Sequence, residues 1–212
     1  MNPNNRSPHD PVLLSDLGNV LITVDRHKSV IAFSEFFQIP VREIEPYFHD
    51  HPLHQALERG TITAEKFLSD LAEELQLPES PDLNVVREIL GRSFGENASV
   101  AQIIDQFRPR LKVFILSNTN PIDIPYIEKY MDVLQWADEL ILSYHTGFRK
   151  PESGIYEYTI RKYGLDPEYT LFLDDKPENV EAAIACGLQG AAYTPETDLN
   201  RLLWELVTAD GE

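Results

Sequence analysis

Short apolar runs recur along the chain and alternate with segments of helical periodicity. Each run is dominated by apolar residues and lacks the regular polar alternation of a strand that faces water on one side. Such strands are typical of a parallel sheet that is covered on both faces. Four or five runs fit this pattern, at 12–15, 111–116, 139–142, 170–173 and 190–193.

The segments between these runs carry apolar residues at helical spacing. The pattern in 178–186 stops at Gly187, a residue favoured just beyond a helix end. Two further stripes consist of Val100, Ile103, Ile104 and Phe107, and of Leu199, Leu202, Leu203 and Leu206. This alternation predicts an α/β fold, doubly wound around a mainly parallel Rossmann-like sheet.

One connection, spanning 25–97, is too long to be a single crossover, because ordinary connections are short. We therefore predict a core domain made of 12–24 and 98–212, an inserted small α-helical cap domain at 25–97, and a flexible N-terminal tail at 1–11. The predicted cap contains three apolar stripes at helical spacing: Val30, Phe33 and Phe37; Phe67, Leu68, Leu71 and Leu75; and Val85, Val86, Ile89 and Leu90.

The charge of the 212-residue chain limits its partners. A formal net charge of −17 opposes binding to nucleic acid and to anionic membranes. No apolar run approaches the roughly 18 residues of a membrane helix, and residues 1–11 lack the hydrophobic segment of a secretory signal. The single cysteine, Cys186, excludes an intrachain disulfide framework and fits a reducing compartment. We expect a cytoplasmic protein, monomeric or weakly dimeric, without nucleic-acid or membrane partners.

Polar residues close several of the apolar runs. Asp16 follows the first, Ser117 the second, and Asp174 and Asp175 the fourth. Ligands of open parallel sheets collect beyond the carboxyl ends of the strands, so these side chains should converge there. Lys150, between Arg149 and a proline, adds a cation. Each residue alone is also explained as a cap, a turn or a solvated loop, but together they are suited to surround one phosphate and one divalent cation.

Four segments resemble the motifs of the haloacid dehalogenase (HAD) superfamily. They read Asp16-Leu-Gly-Asn-Val, Leu116-Ser-Asn-Thr-Asn, Arg149-Lys-Pro-Glu and Leu173-Asp-Asp-Lys-Pro-Glu-Asn. The segment 48–63 is similar to the cap of the superfamily's bacterial sugar-phosphate phosphatases, especially α-D-glucose-1-phosphate phosphatases. The likeness covers nearly the whole chain after Pro11. It implies a phosphatase that uses Mg²⁺ and whose partner is a small phosphorylated metabolite, a sugar phosphate such as glucose 1-phosphate.

The resemblance also implies roles for individual residues. Asp16 would be the nucleophile that forms an aspartyl-phosphate, which water then hydrolyses. Asp16, the backbone carbonyl of Gly18, and Asp175 would be the protein ligands of Mg²⁺. Asp174 either binds the metal indirectly or pairs with Lys150.

The phosphate itself has its own expected partners. Lys150 is suited to the charges of the phosphate and the nucleophile. Ser117 can donate its hydroxyl to a phosphate oxygen. The backbone amides of Asn118 and Thr119 are expected to add donors at a helix start.

One position departs from the common pattern. Many phosphatases of this superfamily carry a second aspartate, as general acid, where this chain has Gly18. The resembling sugar-phosphate subgroup also has glycine there, and the loss of acid assistance favours substrates with good leaving groups, such as an anomeric phosphate. Two alternatives stay open: a metal-independent haloacid dehalogenase, and a phosphate-binding module without turnover.

The predicted cap carries a histidine cluster, with His49, His51 and His54 close to Asp50. We weigh solvent-exposed residues, the favoured interpretation, against substrate contacts or a substitute acid. A zinc site fits poorly, because the partner ligands and their spacing are missing. The adjacent pair Glu58–Arg59 before Gly60 is interpreted as a charged helix end.

Overall fold

Five parallel strands form the central sheet of this computed structural model, which describes residues 10–48, 51–135 and 137–209. The strand order is β5-β4-β1-β6-β7, and β2 and β3 form a separate antiparallel pair. The strands are β1 Val12–Ser15, β2 Ile22–Val24, β3 Phe94–Glu96, β4 Lys112–Ser117, β5 Glu139–Leu142, β6 Thr170–Asp174 and β7 Gln189–Ala192.

Helices connect and cover the strands. They are α1 Arg26–Phe37, α2 Val41–Ile44, α3 Pro52–Glu58, α4 Ala64–Glu74, α5 Leu83–Gly91, α6 Ala98–Phe107, α7 Asp123–Tyr130, α8 Ser143–Thr146, α9 Ser153–Tyr163, α10 Pro177–Ala185 and α11 Leu199–Thr208. Short 3-10 turns lie at Glu45–Phe48, Asp132–Leu134 and Pro167–Tyr169. None of the described helices has the length and apolar character needed to cross a membrane.

The apolar strands are explained by burial on both faces of the sheet. Leu13 of β1 packs in one apolar cluster with residues of α6 and α11, whereas its neighbour Leu14 packs in a second cluster with residues of α9 and α10. Successive side chains of a strand point to opposite faces, so a strand between two helical layers is apolar at every position. The predicted α/β fold with a doubly wound parallel sheet is therefore confirmed.

The helices α1 to α5 share a third apolar cluster, to which the core contributes Ile122. These helices contain the three predicted apolar stripes, and Thr63 caps α4 by accepting a hydrogen bond from the Lys66 amide at 3.2 Å. The β2–β3 pair lies where the chain leaves the sheet and returns to it. The division into a core and a 25–97 cap stays our proposal, and most of the predicted tail lies outside the described residues.

Strand order also positions the functional edge of the sheet. β1 is central, the chain adds β4 and β5 on one side of it, and it then adds β6 and β7 on the other. Such a switch in direction opens a crevice at the carboxyl ends of the central strands. Asp16, Ser117 and Asp174 lie at the ends of β1, β4 and β6, which are hydrogen-bonded neighbours.

Candidate active site

Lys150 connects two of the strand ends. Its Nζ lies 2.7 Å from Asp16 Oδ1 and 2.7 Å from Asp174 Oδ2. The lysine is buried, which disfavours its charged form, but the two carboxylates outweigh this and hold the pKa of Lys150 above its usual value. The structure thus joins three residues that are far apart in the sequence. We call Asp16, Ser117, Lys150, Asp174 and Asp175 the strand-end cluster.

Asp16 is a buried carboxylate next to a cavity. The Leu17 amide donates to its Oδ1 at 2.6 Å, the same oxygen that contacts Lys150, so neither of these donors engages Oδ2. Burial raises the pKa of Asp16 to about 6, because desolvation outweighs the attraction of Lys150 and Asp174 adds like charge. The Asp16 carboxylate therefore binds a proton more readily than an ordinary aspartate does, and an additional cation nearby would stabilise its charged form.

The two adjacent aspartates at the carboxyl end of β6 have different surroundings. Asp174 is fully buried, and both of its oxygens accept hydrogen bonds: Oδ1 from the Lys176 amide at 2.8 Å and from Asn179 Nδ2 at 3.0 Å, and Oδ2 from Lys150 and Asn179. Asp175 is partly exposed and accepts from Asn19 Nδ2 at 2.9 Å. The contacts of Asp174 therefore suit it to position Lys150, whereas the Asp175 carboxylate has more lone pairs left to bind a further ligand.

The donor set fits a hard divalent cation. Asp16, Asp174 and Asp175 each place a carboxylate oxygen so that the three atoms lie within 4.8 Å of one another. Oxygen donors of this kind are the ligands that Mg²⁺ prefers.

Gly18 lies on the same cavity. A Cβ atom at this position would come within 3.3 Å of Val24 Cγ2, so the turn has little room for a side chain.

The side chain of Asn118 holds the backbone of Lys150. Its Nδ2 donates to the Lys150 carbonyl at 2.9 Å, and its Oδ1 accepts from the Lys150 amide at 2.8 Å. Both amide atoms are thus used to hold the backbone that carries the lysine. A contact between the Asn118 backbone amide and phosphate stays a prediction, as does the donor role of Ser117, whose Oγ makes only a long 3.4 Å bond to the Asn118 carbonyl.

The expected donor at Thr119 is wrong. Its amide already donates a hydrogen bond to Ser143 Oγ at 3.0 Å, and Ser143 directly follows the neighbouring strand β5. No helix starts there either: α7 begins at Asp123, and Asn120 Oδ1 accepts from the amides of Ile122 and Asp123. The structure thus removes both reasons for placing a helix-end anion site at Thr119.

A cavity of about 140 Å³ lies between the strand-end cluster and the helices α1 to α5. Asp16, Ser117, Lys150 and Asp175 line it on the sheet side. The opposite face, which we call the cap-side face, combines apolar residues, among them Phe48, Leu57 and Phe67, with polar ones. The polar residues include Arg26 and His54 of the proposed cap and Asn120 and Asp123 of the proposed core. A ligand held at the strand ends would therefore extend toward a surface that can donate and accept hydrogen bonds.

Two expectations from the sequence, for His54 and for Glu58, are corrected on this side of the cavity. His54 is only 6% exposed and lines the cavity, whereas we favoured exposed histidines. Glu58, expected at a charged helix end, is 3% exposed and forms an ion pair with Arg149 Nε at 2.7 Å. Burial raises the pKa of Glu58 despite the attraction of this arginine. His49 and Asp50 lie outside the described residues.

Arg26 and Asp123 were not identified from the sequence. Arg26 opens α1 and donates to the Phe48 carbonyl at 3.4 Å, while Asp123 opens α7 and accepts from Asn120 Nδ2 at 2.8 Å. Burial raises the pKa of Asp123, opposed by the charges of Arg26 and His54. A lone charged residue in a first helical turn is usually a cap or a solvated side chain, so the sequence contains no distinct signal for either residue.

The fold, the order of the strand ends and their chemistry define a hydrolase class that the comparison with known proteins confirms. Residues 12–187 match the family of haloacid dehalogenase-like hydrolases, and the chain belongs to this family.

Individual relatives add substrates and ligands of their own. The chain is 26% identical, over 87% of its length and 91% of the relative's, to a D-ribitol-5-phosphate phosphatase of Bacteroides thetaiotaomicron. It is 24% identical to a sesquiterpene phosphatase of Aspergillus oryzae, over 74% of this chain and 80% of that one. A HAD-family enzyme of Bacteroides thetaiotaomicron, solved with magnesium and inorganic phosphate, superposes with a TM-score of 0.78 at 25% identity, over 91% of this chain and 98% of that one.

Proposed function

We propose that this hydrolase is a Mg²⁺-dependent phosphatase that cleaves small phosphomonoesters, namely sugar or polyol phosphates such as glucose 1-phosphate. The observation that carries the proposal is the position of Lys150, shared at 2.7 Å between Asp16 and Asp174 beside the partly exposed Asp175. A buried cation between carboxylates at a strand-end crevice is suited to hold a phosphoryl group next to a nucleophile.

Asp16 would carry the phosphoryl group through the reaction. An oxygen of its carboxylate forms a bond to phosphorus while the bond from phosphorus to the substrate oxygen breaks, and the leaving oxygen keeps the electron pair. Water then attacks phosphorus, loses a proton, and releases inorganic phosphate and the Asp16 carboxylate. The contacts on Asp16 Oδ1 support this role, because Lys150 and the Leu17 amide orient the carboxylate and leave Oδ2 for attack.

Lys150 and Ser117 would bind the phosphate oxygens. Lys150 is buried, and the Asn118 side chain holds its backbone through two hydrogen bonds. Fixed charges in a site that excludes water stabilise a transition state more than mobile charges in solvent do.

Asp16, Asp175 and the Gly18 carbonyl would hold Mg²⁺, and Asp174 would act indirectly by positioning Lys150. The saturated hydrogen bonds of Asp174 support this division. When bound, the ion neutralises charge on the phosphate and on the nucleophile. The magnesium complex of the solved relative agrees with the acidic cluster of this chain.

The leaving group would meet the cap-side face. Arg26, His54, Asn120 and Asp123 offer hydrogen-bond donors and acceptors to hydroxyl groups in the cavity. This polarity supports a polyol or sugar over the hydrocarbon of a sesquiterpene. Because Gly18 has no acid to offer, His54 and Asp123 are our candidates for protonating the leaving oxygen.

The cellular setting follows from simpler observations. We place the protein in the cytoplasm as a monomer or weak homodimer that binds neither nucleic acid nor membranes. The net charge of −17 and the single cysteine support this assignment.

A panel of phosphorylated metabolites tests the function directly. Purified protein should release phosphate from polyol or sugar phosphates, including glucose 1-phosphate and ribitol 5-phosphate, with Mg²⁺ and lose this activity with a chelator. Absence of phosphate release across the panel would reject the proposal. Chelator-insensitive release of chloride from a 2-chloro acid would instead identify a dehalogenase.

A further inference from the structure

Two salt bridges join the end of α3 to the loop that carries Lys150. Glu58 Oε2 lies 2.7 Å from Arg149 Nε, and Arg59 forms a bidentate pair with Glu152, in which Nη1 donates to Oε2 at 2.8 Å and Nη2 donates to Oε1. The order of charges is reversed between the partners: acid then base on the cap side, base then acid on the loop. We call these contacts the double salt bridge.

The loop residues of the double salt bridge flank Lys150 in the sequence. Arg149 directly precedes the lysine, and Glu152 follows two residues later. The loop is closed by hydrogen bonds from the Glu152 amide to the Arg149 carbonyl at 2.8 Å and from the Arg149 amide to Glu152 Oε2 at 3.3 Å. Both ends of this short loop are therefore tied to the helix of the proposed cap.

The backbones also come close at this junction. Gly60 follows Arg59 with a φ of +67°, and a Cβ atom there would fall 2.0 Å from the Tyr144 carbonyl oxygen of α8. Only glycine permits this approach without displacing the main chain. The contact brings the α3–α4 connection directly against the core.

The two bridges differ in exposure. Glu58 and Arg149 have 4% and 18% of their side chains exposed, whereas Arg59 and Glu152 have 31% and 38%. A buried charge is strongly disfavoured without its partner, so the inner bridge can exist only when the two parts are in contact. The outer bridge is accessible to substitution with less disturbance of folding.

We propose that the double salt bridge fixes the position of the loop that carries Lys150, so that efficient phosphoryl transfer depends on these contacts from the helical cap. Arg59, Glu58, Arg149 and Glu152 are positioning residues in this account, and the inference rests on the proposed role of Lys150. If the bridges only held the cap, their loss would weaken substrate binding and leave turnover unchanged. If they position Lys150, their loss must lower kcat.

Charge reversal of the outer bridge distinguishes these roles. We would measure Mg²⁺-dependent hydrolysis of p-nitrophenyl phosphate by Arg59→Glu, Glu152→Arg and the exchanged double variant, with Arg161→Glu as the matched control. Arg161 pairs with Glu157 along the exposed side of α9 and touches neither the cavity nor the cap. We expect each single reversal at the outer bridge to lower kcat about tenfold, as displaced catalytic groups do, and the exchanged variant to recover at least about threefold. The control should stay within about twofold of the unmodified protein.

Hydrogen exchange supplies a readout that is independent of turnover. The Glu152 amide is bonded to the Arg149 carbonyl, and the Lys150 amide is bonded to Asn118 Oδ1, so the amides at positions 150 and 152 should exchange faster in Arg59→Glu and regain protection in the exchanged variant. Unchanged kcat in both single variants, or exchange rates equal to those of the unmodified protein, would overturn the proposal. If the unmodified protein hydrolyses no phosphoester, the proposed function fails, and hydrogen exchange still decides whether the double salt bridge orders the lysine loop.

Discussion

The cavity has two faces that are constructed differently. In the strand-end cluster, Asp16, Ser117 and Asp174 lie at the ends of neighbouring parallel strands, and Lys150 contacts both Asp16 and Asp174 at 2.7 Å. The cap-side face is carried by helix starts and by α3, whose positions depend on packing between apolar stripes. This difference suggests a division of work in which the sheet holds the reacting groups and the helical side selects the leaving group. The predictions below separate the two faces.

The largest effect is expected at the nucleophile. Asp16→Asn keeps the size of the side chain but removes its charge, so turnover should fall on the order of 10⁴-fold or more. Initial rates of phosphate release with saturating Mg²⁺ give the measurement, and Asp105→Asn on the exposed side of α6 provides the control. Turnover within tenfold of the unmodified protein would remove Asp16 from the assigned role.

A smaller loss is expected when the central cation is replaced. Lys150→Met should lower kcat about 10²–10³-fold, the usual result of deleting one transition-state charge contact. It should also destabilise the fold by about 3 kcal/mol, because Asp16 and Asp174 would be left as neighbouring buried carboxylates. Urea unfolding of this variant and of the exposed Lys162→Met compares the two effects, and equal stability of the two variants would contradict the contacts described for Lys150.

The pH dependence of stability tests the burial of Asp16. Its pKa is about 6 in the folded protein and 3.8 when unperturbed, so the folded state binds the proton more tightly. The resulting contribution to stability, up to about 3 kcal/mol, is fully present below pH 4 and is lost as the pH rises through 6. Unfolding of metal-free protein followed from pH 4 to 7 should show this loss, and Asp16→Asn should reduce it. Identical pH profiles for both proteins would argue against a strongly buried carboxylate.

The smallest effect is expected on substrate binding at the cap-side face. Asp123→Asn and His54→Asn should each raise KM for a polyol phosphate about tenfold, because they remove contacts to the leaving group. The variant that removes the leaving-group acid should also lower kcat for that substrate. Both variants should alter KM for p-nitrophenyl phosphate less, since its ring has no hydroxyl groups to bind. Steady-state kinetics with both substrates make the comparison. An equal change for the two substrates would show that this face does not select the leaving group.

The difference between the faces also explains what could be predicted from the sequence. Asp16, Ser117 and Asp174 were found because a buried strand leaves a continuous apolar run, and parallel strands bring their carboxyl ends together. The same strand pattern predicted the doubly wound sheet, which is confirmed, and the strand-end residues carried the haloacid dehalogenase-like resemblance, which is also confirmed. The β2–β3 pair was missed, because each strand has only three residues and the two are joined by the entire helical insertion.

Contacts between distant segments were not accessible in this way. The buried Glu58 is paired with Arg149, which is far away in the sequence. The Thr119 amide donates its hydrogen bond to Ser143, which lies at the end of the neighbouring strand. Such partners are chosen by tertiary packing and have no fixed spacing in the chain. Helical periodicity predicted which residues of the cap pack together, but it did not predict which polar residues would face the cavity.

The most direct test of the central claim is chemical trapping of the phosphorylated residue. During turnover of p-nitrophenyl phosphate with Mg²⁺, rapid quenching followed by borohydride reduction should convert the aspartyl-phosphate into homoserine. Peptide mass spectrometry should then find homoserine at position 16 in the unmodified protein and none in Asp16→Asn. A trapped phosphoryl group at another residue, with Asp16 unmodified in the active enzyme, would contradict the account.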